Sequence, residues 1–399
     1  MLTFVVDDPA KGFQNLCPLF ADNLYLTEPW EFPKWLDHYN IKYNTVTIEN
    51  ATKDSWYPVA INFWDFSHDY LKSLPSIVLK SLSEFRVRLL FYYREADDPG
   101  RIRQHINEMC SWHRIDPDLI LFISGNTAAD KTPGTVFFWH FDTDYYFQTM
   151  HSTVPTINAD VRPRKITCLS RIKKNWREYF IYNICRYADL TENFISYGNH
   201  MDAINYRDED FVMWGQDNLN FAPEILASIN ESFDVTQPTN SWLASLPLRV
   251  DEMSAEQHNN HSIVVDHFFQ ESYWNVVLET MIATESEGDS VFITEKTLKP
   301  IRNGQSFVVV GCRGTLKMLE HHGYQTFGDI IDENYDNATD VRERWYKVFQ
   351  LAKKFLKSSK EDLHKLQQDC LPVIQHNQSH FFRSRKPALM ELVDKLCHQ

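Results

Sequence analysis

Short runs of β-branched and aromatic residues recur along this chain, separated by longer amphipathic stretches, and that alternation restricts the fold more than any other feature. Leu2 to Val6, Val59 to Phe63, Val87 to Tyr92, Leu119 to Ile123 and Val136 to Trp139 read as strands. Leu71 to Phe85 and Arg101 to Trp112 read as helices between them. Strands alternating with helices predict a mostly parallel sheet covered by helices. Residues 151–164 lack periodicity, hold two prolines and end in a basic cluster, so they are expected to link this half, 1–150, to a second one, 165–340.

In the second half the pattern restarts with strand Lys165 to Leu169, helix Trp176 to Tyr187 and strand Phe194 to Tyr197. A polar, irregular segment from about Asn199 to Asn260 interrupts it; strands Trp274 to Leu278 and Phe307 to Val310 and helix Thr315 to His321 follow. The region 341–399 carries helical periodicity and is expected to form terminal helices. Two domains also suit the length, because 399 residues exceed what one core usually organises. Ligands of open α/β sheets sit beyond the carboxyl ends of the strands, so two such halves facing each other predict a site in the cleft between them.

Composition narrows the function classes. A net charge of −14 disfavours nonspecific binding to nucleic acid or to an anionic membrane. Seven scattered cysteines without a CxxC pair indicate neither a disulfide framework nor a zinc site, and a reducing cytoplasm fits best. The first thirty residues read as no signal peptide, and no run is long and apolar enough to span a membrane. Eleven Trp, 18 Tyr and 27 Phe exceed the needs of a minimal core, and such residues often line clefts that hold sugars or bases.

One turn stands out electrostatically. In Phe292-Ile293-Thr294-Glu295-Lys296-Thr297-Leu298-Lys299, Thr294 suits an N-cap and Glu295 a first turn, whereas Lys296 opposes the helix dipole. An anion bound at that terminus reverses the penalty, and Lys299 shares the face of Lys296. A second basic helix start, Arg171, Lys173, Lys174 and Arg177, follows the strand that ends near Leu169 and points to a diphosphate in the same way. Asn275-Val276-Val277-Leu278-Glu279-Thr280 is an apolar strand ending in a carboxylate suited to sugar or ribose hydroxyls. Gly311-Cys312-Arg313-Gly314 is a tight turn, and the acidic stretch Asp329 to Asp336 reads as a solvated loop.

In order and content these elements resemble the donor half of fucosyltransferase-like glycosyltransferases of the GT-B type, including phage and bacterial enzymes. The counterparts are Arg177, Leu278-Glu279-Thr280, the Thr294-Glu295-Lys296 motif, and Gly304 to Gly311; Phe292 stands where that family usually has Tyr, and Thr280 where it has Asn. The resemblance implies two Rossmann-like domains facing a cleft and an inverting, metal-independent transfer from a nucleotide sugar, with no cofactor. Arg177 and Lys296 would neutralise the diphosphate, and Glu279 and Glu295 would hold hydroxyls. The acceptor is expected to be a glycan or lipid-linked saccharide, or alternatively a hydroxymethylated base in DNA, with Arg86, Arg88, Arg94, Arg101 and Arg103 as a basic track. A non-catalytic binding module on the same fold is the rival.

An inverting transfer also needs a base. Asp142 and Asp144 are the candidates, in Phe138-Trp139-His140-Phe141-Asp142-Thr143-Asp144-Tyr145 at the expected end of a strand. Phe63-Trp64-Asp65-Phe66-Ser67-His68-Asp69-Tyr70 repeats its pattern. The Asp142-x-Asp144 spacing also suits a divalent cation, the less favoured reading.

Overall fold

The computed structural model describes residues 1–6, 32–61, 64–93, 98–170, 175–197, 266–282 and 290–398. The chain divides into two compact units, Met1–Phe147 with Asp289–Phe292 and Ser384–Gln399, and Gln148–Gly288 with Ile293–Arg383. The helix at the end of the chain therefore belongs with the first unit.

The first unit is a parallel sheet of β1 (Thr3–Val5), β2 (Asn44–Val46), β3 (Ser55–Ile61), β4 (Arg88–Tyr93), β5 (Ile120–Ser124) and β6 (Thr135–Phe137), in the order β2-β1-β3-β4-β5-β6. Its helices are α1 (Phe32–His38), α2 (Ser76–Ser83), α3 (Pro99–His113) and α4 (His140–Thr149). Period-two alternation sends Leu89, Phe91 and Tyr93 of β4 into one core with Val78 of α2 and Ile102, Ile106 and Met109 of α3. Leu90 and Tyr92 point the other way, into a core completed by Trp35 of α1 and by Leu389, Leu392 and Leu396 near the chain end. Each fully buried side chain of this kind stabilises by about 1.5–3 kcal/mol. The start of α3 is written locally: Asp98 accepts the Gly100 N–H at 2.9 Å, Pro99 occupies the first turn, and Arg114 ends the helix at φ 56°.

Asp142 and Asp144 lie in the first half of α4, not at a strand end; β6 stops at Phe137 and the chain turns into the helix at His140. Trp64 to Tyr70 of the repeat around Phe66 instead form turns between β3 and α2, so over these residues the two similar segments differ in conformation.

The second unit holds a parallel sheet of β7 (Arg164–Ser170), β8 (Phe194–Tyr197), β9 (Ser272–Leu278) and β10 (Ser306–Val310), ordered β10-β9-β7-β8 among the described residues. Its helices are α5 (Asn175–Cys185), α6 (Asp266–Gln270), α7 (Glu295–Arg302), α8 (Thr315–His321), α9 (Val341–Lys357) and α10 (Lys360–Phe381); α11 (Lys386–Cys397) then returns to the first unit. Every residue of β9 is buried, as befits a parallel strand covered on both faces. Trp274 of β9 stacks on Phe355 of α9 at 4.4 Å, and Phe180 of α5 meets Trp345 of α9 edge-on at 5.1 Å. Residues 151–163 carry no helix or strand, and the buried Arg162 ties them down by donating to the carbonyls of Asn158, Phe269 and Ser272.

Both sheets contain a reversal of strand order. In the second unit β8 lies on one side of β7 and β9 on the other, so the crevice beyond the carboxyl ends of β7 and β9 is the topological switch point. Among the described residues no helix is long and apolar enough to cross a membrane.

Candidate functional site

Ser170 is the last residue of β7 and Glu279 the first beyond β9, so these two residues flank the switch point of the second unit. The Glu279 N–H continues the ladder to the Val310 carbonyl at 3.0 Å. Its carboxylate is fully buried and accepts four internal hydrogen bonds: the Thr294 N–H at 3.2 Å, the Thr294 hydroxyl at 2.8 Å, the Thr297 hydroxyl at 2.6 Å and the Thr280 N–H at 3.0 Å. A carboxylate so engaged anchors the first turn of α7 to the end of β9.

That contact changes the reading of Lys296. The anion expected at the start of α7 is supplied by the protein, because Glu279 occupies the place where the helix dipole favours negative charge. The Lys296 ammonium donates to Thr280 Oγ1 at 3.1 Å and pairs with Glu295 Oε1 at 3.2 Å. Its side chain remains 30% exposed, against 6% for Glu295.

Arg177, in the first turn of α5, is buried and donates to the Glu279 backbone carbonyl. Burial pulls its guanidinium down to about 10, with Glu279 and Glu295 holding it up, so it stays cationic at neutral pH. Its ring neighbour is Trp176, at 5.1 Å. Two cations, Arg177 and Lys296, thus face two carboxylates, Glu279 and Glu295. Two buried polar atoms are left over: Ser170 Oγ and Arg177 Nε have no hydrogen-bond partner among the described residues.

The structure therefore brings Arg177, Glu279, Thr294, Glu295 and Lys296 together. Lys299 is half-buried one turn further along α7. Arg171 and Lys173 lie outside the described residues, as does the whole polar segment from Asn199 to Asn260. Phe292, at the head of the motif, belongs to the first unit, where it meets Phe141 edge-on at 5.5 Å; Ile293–Arg383 belongs to the second. Sequence reasoning assigned no role to Ser170, Thr280 or Thr297. The signal for Thr297 was available, since it sits three residues from the N-cap on the same helix face.

The acidic stretch is solvated only in part: Asp329, Asp332 and Asn334 are exposed. Tyr335 and Asp336 are buried, and the Asp336 carboxylate accepts the Leu316 and Lys317 N–H groups of α8 at 3.1 and 3.3 Å. Arg344 fastens the neighbouring turn by donating to the Gly311 and Ala338 carbonyls at 2.8 and 2.7 Å. The start of α8 is thereby closed by a carboxylate, as α7 is.

In the first unit, the Asp142 carboxylate is held by Arg385, with contacts of 2.5 and 2.9 Å, and Asp144 is buried. Among the described residues no group of three or more His, Cys, Asp or Glu side chains is arranged to hold a metal ion. Comparison of the chain with family models, curated proteins and solved structures finds no match.

Proposed function

We propose that this chain is a glycosyltransferase that moves a sugar from a nucleoside-diphosphate donor to a hydroxyl group, with inversion and without a metal. The observation that carries the reading is the meeting of Arg177 with Glu279 and the Thr294-Glu295-Lys296 turn at the β7–β9 switch point, beside the unmatched Ser170 Oγ and Arg177 Nε. In the reaction, the acceptor oxygen bonds to the anomeric carbon as the bond from that carbon to the diphosphate oxygen breaks. The electron pair leaves on the diphosphate, and the acceptor proton passes to a base.

Arg177 and Lys296 stabilise the departing charge in this scheme, held ready by internal contacts so that little reorganisation is needed as it develops. Glu279 takes a positioning role, since its oxygens are filled by Thr280, Thr294 and Thr297. Two Rossmann-like units in a GT-B arrangement belong to the proposal, as does a saccharide acceptor; the net charge of −14 weighs against DNA.

Thermal unfolding with UDP, GDP, CDP and dTDP tests the donor site, because a ligand at 100 times its Kd adds about 2.7 kcal/mol. One nucleotide is expected to stabilise the protein, with or without EDTA, and Lys296→Ala to abolish the shift. No shift with any nucleotide, or an undiminished one in Lys296→Ala, overturns the assignment. Stabilisation without sugar transfer to any acceptor marks a binding module instead of an enzyme.

A further inference from the structure

The turn that carries Lys296 is held at two points one residue apart, and the first of them lies in the first unit. Gly125, Asn126 and Thr127 follow the carboxyl end of β5, and Ser290, Val291 and Phe292 dock on them. The Ser290 hydroxyl donates to Asn126 Oδ1 at 2.8 Å, and the Val291 N–H donates to Thr127 Oγ1 at 2.9 Å. The Thr127 N–H returns a bond to the Val291 carbonyl at 3.0 Å. Asn126 is itself tied down, with its N–H on Ser124 Oγ at 3.1 Å and its Oδ1 also accepting the Ala128 N–H at 3.0 Å.

Shape supports these bonds. A Cβ on Gly125 would stand 2.6 Å from His140 Cε1 and 3.1 Å from Phe292 Cε2, so glycine lets both rings close on the turn. Asn126, Ser290, Val291 and Phe292 are all buried, and water does not readily replace hydrogen bonds made there.

The second point is Thr294, gripped by the Glu279 carboxylate. Ile293, fully buried, is the one residue between the two. Phe292 and Thr294 are two Cα–Cα steps apart, a span of about 7 Å at full stretch. So short a connection has little slack. A shift of Phe292 in its seat is therefore passed to Thr294 and to the first turn of α7, which carries Lys296.

We infer that Gly125, Asn126 and Thr127 form a socket that positions the Thr294-Glu295-Lys296 turn, which makes them positioning residues for the proposed donor site. A role in first-unit packing alone ends at Phe292, whereas a positioning role reaches α7. Amide hydrogen exchange of the full chain, without nucleotide, separates the two. Thr127→Val and Ser290→Ala each delete one bond of the socket. Each is expected to speed exchange over residues 294–302 by about fivefold, the effect of one lost hydrogen bond, and to leave α9 of the second unit unchanged. Thr127→Ser restores the acceptor and is expected to return the parent rate. Unchanged exchange over residues 294–302 in both variants, an equal acceleration in α9, or no rescue by Thr127→Ser overturns the inference. The relevance to catalysis rests on the donor assignment, whose failure shows differently, as a parent chain that no nucleotide stabilises.

Discussion

The carboxylate of Glu279 accepts both the backbone N–H and the hydroxyl of Thr294, at 3.2 and 2.8 Å. Through this clamp, the end of a central strand sets the position of the turn that carries Lys296. Glu279→Gln keeps the shape but removes the charge that offsets Arg177 and Lys296. The expected cost is about 3 kcal/mol of stability, measured by urea unfolding, because a buried cation is left uncompensated. A change below about 1 kcal/mol would show that the charge is balanced elsewhere.

Arg177→Lys retains a positive charge but loses the planar fork that reaches the Glu279 carbonyl while keeping Nε available. The variant is expected to bind the stabilising nucleotide about tenfold more weakly, read from the concentration dependence of Tm. Equal affinity would assign Arg177 to structure alone.

Arg385 and Asp142 tie the segment that leads into α11 to α4 of the first unit, with Arg385 stacked over Tyr146 at 4.9 Å. Asp142→Asn or Arg385→Met is expected to cost about 3 kcal/mol, and the double variant less than the sum, because removing one partner strands the other. Amide hydrogen exchange in α11 reports the loosening. Unchanged protection in both single variants would show that the hydrophobic contacts of Leu389, Leu392 and Leu396 suffice.

Burial pushes the Glu333 carboxyl up to about 7, against backbone donation from Phe327, with Asp336 and Glu320 adding like charge. A raised carboxyl binds its proton more tightly in the folded state. Its contribution is therefore fully present below about pH 4.5 and is lost as pH rises through about 7. Glu333→Gln is expected to remove that dependence and to gain up to about 3 kcal/mol over the parent above pH 7. Urea midpoints of the two proteins at pH 5 and pH 8 provide the check, and a parallel pH response in both contradicts it.

Much of the architecture was legible in sequence because its causes are local. The alternation in β4, the apolar runs of β9 and β10, and the Thr294 cap depend on neighbours within a few residues. The Lys296 anomaly was equally visible, and so were the strand-end position of Glu279 and the helix-start position of Arg177. The partner that resolves the anomaly was not: Glu279 lies 17 positions before Lys296, and only the register of β9 beside β10 brings it to the start of α7. The burial of Asp336, the seizure of Asp142 by Arg385 and the return of α11 to the first unit are likewise long-range. Sequence by itself indicated most of the strands, several of the helices and where unusual charge accumulates, but not α4, which carries Asp142 and Asp144. Tertiary structure decided which charges meet, because a buried ion finds its partner through chain topology, where propensity and spacing carry no information.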